Sequence, residues 1–193
     1  MPFEVLALAD IPPVPWKNHA GSTRELGIEP PGSDLDTFIW RVSIAEVAAD
    51  SAFSTFDGID RTIVLLSGDG LHLHLPGGTL QRLTSAYQPF AFAGELQVQA
   101  TVQGGATRDF NLMVRRDAAV GSVAVYACPQ QVPVATNASL LFVARGEALL
   151  TDAEGRMQRL RAGDRVCFGE GQARPQLQCG NDAVVLAVHI DKK

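Results

Sequence analysis

The sequence repeats a pattern of short apolar runs and turns at an almost constant spacing. Residues 65–70 resemble residues 143–148, an offset of 78 residues, and the tripeptide at 81–83 recurs at 158–160, an offset of 77. A repeat of this length within 193 residues leaves room for two similar halves and little else. We therefore expect one type of folding unit to occur twice along the chain.

The residues within each repeat favour β-strands. Residues 38–45 alternate between apolar and polar side chains, a period of two that is typical of strands. Further short runs at 61–66, 71–75, 90–93, 96–102 and 110–114 are separated by turn clusters rich in glycine and proline. The strongest helix signal, at 45–50, is too short for an independent helix. The pattern predicts an all-β fold of two double-stranded β-helix or jelly-roll barrels, with another β-sandwich as the alternative.

Composition and charge exclude several classes of protein. The formal net charge is −5 and the pI is about 5.3, so no basic surface for nucleic acid is expected. No apolar run approaches the roughly 18–20 residues of a membrane span. The first residues lack the basic and apolar regions of a signal peptide. We expect a cytoplasmic protein that contacts neither nucleic acid nor membrane.

Chemically distinctive residues are concentrated in the first 116 positions. In order, they are Pro15-Trp16-Lys17-Asn18, Thr23-Arg24-Glu25, Trp40-Arg41-Val42-Ser43, Phe53-Ser54-Thr55-Phe56-Asp57-Gly58-Ile59-Asp60-Arg61, Pro89-Phe90-Ala91-Phe92-Ala93-Gly94 and Arg108-Asp109-Phe110-Asn111-Leu112-Met113. Together they resemble the motifs of the HutD/Ves family of bicupins, in the RmlC-like cupin superfamily. The second half resembles the family only in its rhythm of strands, including a Gly163-Asp164 turn. The chain departs from the family pattern at His19-Ala20, where the family has glycines.

The resemblance implies two cupin-like barrels in tandem, one spanning residues 1–116 and the other 117–193. HutD proteins are associated with histidine utilisation and are thought to moderate that pathway, while the activity of Ves proteins is obscure. Family membership therefore implies no known reaction and no cofactor.

The residues themselves indicate a polar site in the first half. On a strand, Asp109 and Asn111 share one face, and Arg41 and Ser43 share another. Polar side chains within apolar strands need hydrogen bonds or solvent, which a shared cavity would supply. Alternatively, these residues join loops, with Arg61 paired to Asp60 or Asp109. Our candidate ligand-binding residues are Trp16, Lys17, Asn18, Arg24, Trp40, Arg41, Ser43, Arg61, Phe92, Asp109 and Asn111.

No catalytic residue and no metal site is predicted. His72 and His74 form a His-x-His pair, but no suitable third ligand follows, and we expect the pair to face solvent. The sequence contains no nucleophile elbow. Proton transfer by Lys17 or Asp109 stays open, because burial can tune either pKa.

The leading functional hypothesis is a non-catalytic protein that binds a small carboxylate, such as urocanate or a formylglutamate-like molecule, and so regulates or buffers histidine breakdown. The alternative is an enzyme acting on a histidine-pathway intermediate, either metal-free or assisted by a metal at His72 and His74. A third hypothesis is a protein whose partner is another protein. Exposed edges of such barrels are often covered by a partner, so we also expect a homodimer.

Overall fold

The structure is a computed structural model that describes residues 3–127, 134–135, 138–169 and 175–193. Its strands, in chain order, are β1 (Val5–Ala7), β2 (Val14–Pro15), β3 (Gly21–Glu29), β4 (Trp40–Val47), β5 (Ser51–Ala52), β6 (Ile59–Ser67), β7 (Leu71–His74), β8 (Leu80–Leu83), β9 (Pro89–Ala93), β10 (Gln99–Val102), β11 (Thr107–Arg115), β12 (Ala119–Ala127), β13 (Val134–Ala135), β14 (Leu140–Arg145), β15 (Glu147–Thr151), β16 (Met157–Arg161), β17 (Asp164–Cys167), β18 (Gln176–Cys179) and β19 (Val184–Lys192). Helix in these ranges is limited to single 3₁₀ turns at Leu8–Asp10 and Pro76–Gly78. The all-β prediction is confirmed. Residues 45–50, whose helix signal was too short for an independent helix, form the end of β4 and the segment that leads to β5.

The chain divides into two compact units. The N-terminal unit contains Pro12–Gly121 and Asp191–Lys193, and the C-terminal unit contains Ser122–Ile190 together with the start of the chain up to Ile11. The sequence analysis placed the boundary after residue 116 and assigned the start of the chain to the first half. The difference arises because β1 pairs with β17, where Val5 lies opposite Val166.

Two antiparallel sheets form the N-terminal unit. The larger has the strand order β2-β3-β4-β11-β6-β9, and the smaller has the order β5-β10-β7-β8. Their side chains meet in one core, in which Ile63 and Leu65 of β6 pack in the same cluster as Leu71 and Leu73 of β7. Because side chains alternate along a strand, the larger sheet turns one face toward this core. We call this side, which carries Ile63 and Leu65, the inner face.

The C-terminal unit repeats this arrangement. Its sheets have the orders β1-β17-β14-β19-β12 and β13-β18-β15-β16. Strands β12 to β19 pair with one another in the same pattern as strands β4 to β11, so that each strand of the first set corresponds to the strand numbered eight higher. The core again draws on both sheets, with Leu141 and Val143 of β14 in one cluster with Ala148 and Leu150 of β15. The two units therefore share the pairing pattern of eight strands.

The sequence repeat corresponds to a bulge followed by a glycine turn. The pairing of β6 with β11 shifts at Leu66, and the pairing of β14 with β19 shifts at Ala144, 78 residues later. Gly68 and Gly146 follow with φ values of 106° and 70°, a region that favours glycine. A Cβ on Gly146 would also lie 2.8 Å from the Cα of Ala183. In each unit this turn carries the chain from the larger sheet to the smaller one.

Candidate functional site

The register of the six-stranded sheet brings polar residues together on the inner face. Asn111 of β11 lies between Ser43 of β4 and Ile63 of β6. Directly paired residues of antiparallel strands point to the same side, so Ser43 and Asn111 share the face of the core residue Ile63. Two positions further along, Met113 lies between Arg41 and Arg61. The inner face therefore carries a polar band within an apolar interior.

Arg61 is the most unusual member of this band. Its side chain is buried, with 9% of the residue exposed, and Nη2 donates a hydrogen bond of 3.3 Å to Asn111 Oδ1. Nη1 lies 3.5 Å from the carbonyl oxygen of Ser54, and Nε is buried without a hydrogen-bond partner among the described residues. In the same ranges no carboxylate forms an ion pair with Arg61: Asp60 instead pairs with Arg116 at 2.8 Å. The expected alternative pairing of Arg61 with Asp60 or Asp109 is thus absent from the described chain.

Three aromatic rings surround the guanidinium group. Its carbon lies 5.2 Å from the ring centre of Phe53, 5.8 Å from that of Phe56 and 5.0 Å from that of Phe92. These distances are in the range of cation–π attraction. Burial, and to a smaller extent the charge of Arg41, lower the pKa of Arg61 to about 10. The group therefore stays cationic at neutral pH in an environment that solvates it poorly.

Arg41 has a carboxylate partner on the neighbouring strand. Its Nε donates to Glu25 Oε2 at 2.8 Å, and the Glu25 side chain is 42% exposed. Glu25 lies opposite Ser43 in the register of β3 with β4, so it belongs to the inner face. Arg41 thus adds positive charge near Arg61 while its own charge is partly neutralised.

Asp109 is the second buried ionisable group of the band. The residue is 0% exposed, and Oδ2 accepts a hydrogen bond of 3.0 Å from the hydroxyl of Thr107. Oδ1 is buried with no partner in the part of the chain that the structure describes. Burial raises the pKa of Asp109 to about 7, against the opposing effect of the Thr107 hydrogen bond. Near neutral pH this carboxyl group can therefore either hold or release a proton.

The remaining predicted residues are divided between several places. Arg24 lies opposite Ile44, and Trp40 alternates with Arg41, so both belong to the face opposite the inner face. Lys17 and Asn18 are exposed in the turn between β2 and β3. Trp16 donates through Nε1 to Thr23 Oγ1 at 2.8 Å, and Thr23 is on the inner face.

His19 occupies the turn where the family pattern has glycine. Its φ is 57°, in the left-handed region that glycine prefers and that histidine tolerates better than most residues. Its N–H donates to the carbonyl of Trp16 at 3.0 Å, and Asn18 Oδ1 accepts from the N–H of Ala20 at 3.1 Å. The substitution therefore retains a turn conformation suited to glycine.

Four residues of the site were absent from our candidate list: Glu25, Phe53, Phe56 and Thr107. The sequence did contain a signal for Glu25. Thr23 and Glu25 are two residues apart and therefore share one face of a strand, as Arg41 and Ser43 do on the next strand. The two phenylalanines lie in the segment between β5 and β6, whose conformation depends on distant backbone contacts. Phe53 N–H donates to Val98 and Phe56 N–H donates to Gly94.

A comparison with protein families decides the family of the chain. The HutD family model matches residues 8–187. The chain belongs to the HutD family. An uncharacterised 21.2 kDa protein from the hutC 3′ region of Pseudomonas putida is 36% identical over 158 residues, which cover 82% of each chain. Protein Ves of Cronobacter sakazakii is 40% identical over 132 residues, covering 68% of this chain and 66% of that protein.

Solved structures share the fold of this HutD-family chain. A conserved protein of unknown function from Pseudomonas aeruginosa PAO1 has 34% identity and a TM-score of 0.87, with 98% of each chain covered. HutD from Pseudomonas fluorescens SBW25, in a formate condition, has 27% identity and a TM-score of 0.82 over 99% of each chain. A cupin 2 conserved barrel domain protein from Leptotrichia buccalis shares only the fold, with 9% identity and a TM-score of 0.62 over 98% of this chain and 96% of that chain. The predicted HutD/Ves relationship is confirmed, and with it a link to histidine utilisation.

The two units of this HutD-family chain differ in the polarity of their interiors. In the N-terminal unit Asp109 lies opposite Leu65, and in the C-terminal unit Val185 lies opposite Val143, which is the equivalent of Leu65. The buried ionisable carboxyl group therefore has valine as its counterpart.

The other two buried residues of the polar band, Asn111 and Arg61, also have counterparts in the C-terminal unit. Ala187 lies opposite Leu141, as Asn111 lies opposite Ile63. Ser139 is 78 residues after Arg61, and its carbonyl accepts from Phe168 N–H, just as Arg61 is paired with Phe92. Since the C-terminal unit forms the same sheets without these polar groups, the strand arrangement does not require them.

The histidine pair lies away from this band. Leu71 and Leu73 point into the core, so His72 and His74 occupy the opposite face of β7, where His74 Nε2 is 3.3 Å from Thr101 Oγ1. Within the described ranges, no group of three or more His, Cys, Asp or Glu side chains is arranged to hold a metal ion. No helix of the described residues is long and apolar enough to cross a membrane.

Proposed function

We propose that this HutD-family protein binds a small carboxylate on the inner face of its N-terminal unit and thereby regulates or buffers histidine breakdown. The observation that carries the proposal is the buried Arg61 guanidinium, which has no carboxylate partner in the described chain. Burying an uncompensated charge costs several kcal/mol. A ligand carboxylate would provide the missing negative charge, and arginine is well suited to bind it through two hydrogen bonds.

The Asn111 side chain is oriented so that it can also bind the ligand carboxylate. Its Oδ1 accepts from Arg61, so its Nδ2 hydrogens are directed elsewhere and are available to a ligand oxygen. Arg41 adds positive charge to the same face, and Asp109 offers a second polar contact. The ligand that complements this set has a carboxylate and another hydrogen-bonding group.

The link to histidine utilisation narrows the range of candidate ligands. Every intermediate between histidine and glutamate carries a carboxylate, and several also contain a nitrogen donor or acceptor. Urocanate and formylglutamate-like molecules meet both requirements. We further propose that the two units are tandem cupin barrels, that the protein is a cytoplasmic homodimer, and that the C-terminal unit is mainly structural because its interior lacks the polar band.

Isothermal titration calorimetry tests the proposal with urocanate, imidazolone propionate, formiminoglutamate and formylglutamate. Arg61→Met and Arg41→Ala are each expected to weaken binding at least about tenfold, because a hydrogen bond to a charged group contributes roughly 1.5–3 kcal/mol. Arg82→Met is the matched control, since Arg82 is exposed and lies opposite His72 on the outer side of the smaller sheet. No binding at millimolar concentration, or equal binding by Arg61→Met and wild type, would refute the proposal.

A second candidate function, catalysis of proton transfer on the same ligands, is favoured by Asp109. A buried carboxyl group whose pKa is raised to about 7 suits a general acid or base near neutral pH. Incubation of the protein with each of the four intermediates, followed by chromatography, separates the two functions. Product formation that Asp109→Asn abolishes would establish an enzyme, whereas recovery of unchanged ligand supports a binding protein.

A further inference from the structure

The role of Asp109 in ligand binding rests on the proposed function. Asp109 lies two residues before Asn111 on the inner face of β11, which places the two side chains about 7 Å apart along the strand. Its Oδ2 is occupied by Thr107, while its Oδ1 is buried with no partner among the described residues. A buried polar atom without a partner is unusual in native structures and calls for an explanation.

The surroundings of Asp109 contain little to stabilise a negative charge. Its direct neighbours across β4 and β6 are Ala45 and Leu65. The charged groups on the inner face are Arg61 from β6, Arg41 from β4 and Glu25 from β3. At the far end of β11, Arg115 lies opposite Ile59 and donates to the carbonyl oxygens of Phe38 and Asp36. Arg41 is paired with Glu25, and Arg61 is hydrogen-bonded at the level of Asn111.

The other elements packed against this core contribute mainly apolar side chains. The smaller sheet also contributes Ser51, which lies opposite Ala100 and whose Oγ is buried with no partner among the described residues. The smaller sheet and its flanking segment supply Leu71, Leu73, Leu83, Val98 and Ala100. On β9, Phe92 belongs to the same cluster and Phe90 packs against it. No histidine or lysine is among the described side chains of this core cluster.

A ligand carboxylate at Arg61 and Asn111 would change this balance. It would cancel the charge of Arg61 and bring a second negative charge close to Asp109. Two carboxylates in one poorly solvated site cannot readily both be ionised, and one of them retains a proton. The free Oδ1 of a neutral Asp109 would then be a hydrogen-bond donor with no acceptor from the described protein.

We infer that Asp109 enters the complex as a neutral carboxylic acid whose O–H donates to an acceptor atom of the ligand, so that binding takes up one proton. The acceptor is an oxygen or an unprotonated ring nitrogen. A ligand that presented an N–H group would instead require the ionised form and would release a proton. The direction of proton exchange therefore distinguishes the two arrangements.

The linkage predicts a definite pH dependence. If only the neutral form binds, the apparent affinity is reduced by the fraction of neutral Asp109 in the free protein. With a pKa of about 7 for the free protein, binding at pH 8 is expected to be roughly tenfold weaker than at pH 6. Below pH 6 the affinity is expected to level off.

The experiment is calorimetric titration with N-formyl-L-glutamate, which has no group that titrates near neutral pH. At about pH 8, titrations in phosphate and in Tris, two buffers of different ionisation enthalpy, give the number of protons exchanged per ligand. Wild type is expected to take up close to one proton. Uptake near zero, or release of a proton, would overturn the inference.

Two variants localise the proton. Asp109→Asn places an amide N–H donor in the same position, so it is expected to bind with an affinity within a few fold of wild type at pH 6 and with no proton uptake. Asp117→Asn makes the same chemical change at an exposed turn and should retain the uptake. If Asp109→Asn also retains the uptake, another group carries the proton and the inference is wrong. Should formylglutamate and urocanate both fail to bind to wild type, the proposed function fails and this inference falls with it, whereas binding without proton uptake refutes only the inference.

Discussion

Replacement of Asp109 by asparagine is expected to stabilise the N-terminal unit, and to do so increasingly as the pH rises. Burial raises the pKa of Asp109 from its ordinary value of 3.8 to about 7, so the folded state holds the proton more tightly than the unfolded chain does. Stability therefore falls as the pH rises from about 4 to about 7 and then levels off. At about 1.36 kcal/mol per pH unit, the full effect is at most about 4 kcal/mol of unfolding free energy.

The assay is urea unfolding followed by tryptophan fluorescence between about pH 5 and pH 8. The chain has two tryptophans, Trp16 and Trp40, and both belong to the N-terminal unit, so the signal reports on that unit. The contribution of the Asp109 pKa to the difference in unfolding free energy between Asp109→Asn and wild type should already be about 1.7 kcal/mol at pH 5, and the difference should grow by roughly 2–3 kcal/mol between pH 5 and pH 8. Asp117→Asn is the control and should show no such trend. A difference that does not change with pH would refute the reasoning.

Three other substitutions give separate tests. Arg61→Met removes a buried charge without a carboxylate partner in the described chain, and it should raise the unfolding free energy by about 1–2 kcal/mol in the same urea assay while abolishing ligand binding. Gly94→Ala should lower the melting temperature and weaken binding. The new Cβ would lie 2.7 Å from the carbonyl oxygen of Phe56 and would displace the Phe56 ring from the Arg61 guanidinium. An unchanged melting temperature would contradict this. Lys17→Ala should change affinity less than about threefold by calorimetry, because this side chain is exposed in a turn.

The sequence predicted those parts of the fold that depend on local pattern. Alternation along β11 placed Asp109 and Asn111 on one face, and the repeat around Gly68 and Gly146 corresponds to the same turn in both units. These features follow from the period of a strand and from the conformations open to glycine. Neither requires knowledge of distant contacts.

The site was harder to predict because it depends on strand pairing. Closeness of motifs in sequence suggested that Arg24 and Trp40 join the site, although alternation places them on the opposite face from Arg41. The hydrogen bond from Arg61 to Asn111 joins residues 50 positions apart and depends on the register of β6 with β11. The contribution of Phe53 depends on its backbone hydrogen bond to Val98, which a single sequence does not reveal.

The polar interior of the N-terminal unit has a consequence for how long the protein survives in a cell. Val185 and Ala187 let the C-terminal unit bury only apolar groups at positions where the N-terminal unit buries Asp109 and Asn111. We expect the N-terminal unit to open first and to present the earliest sites for proteases. A ligand that binds only the closed form suppresses this opening in proportion to its occupancy. The abundance of the protein would then follow the concentration of its ligand, without any change in the transcription of its gene.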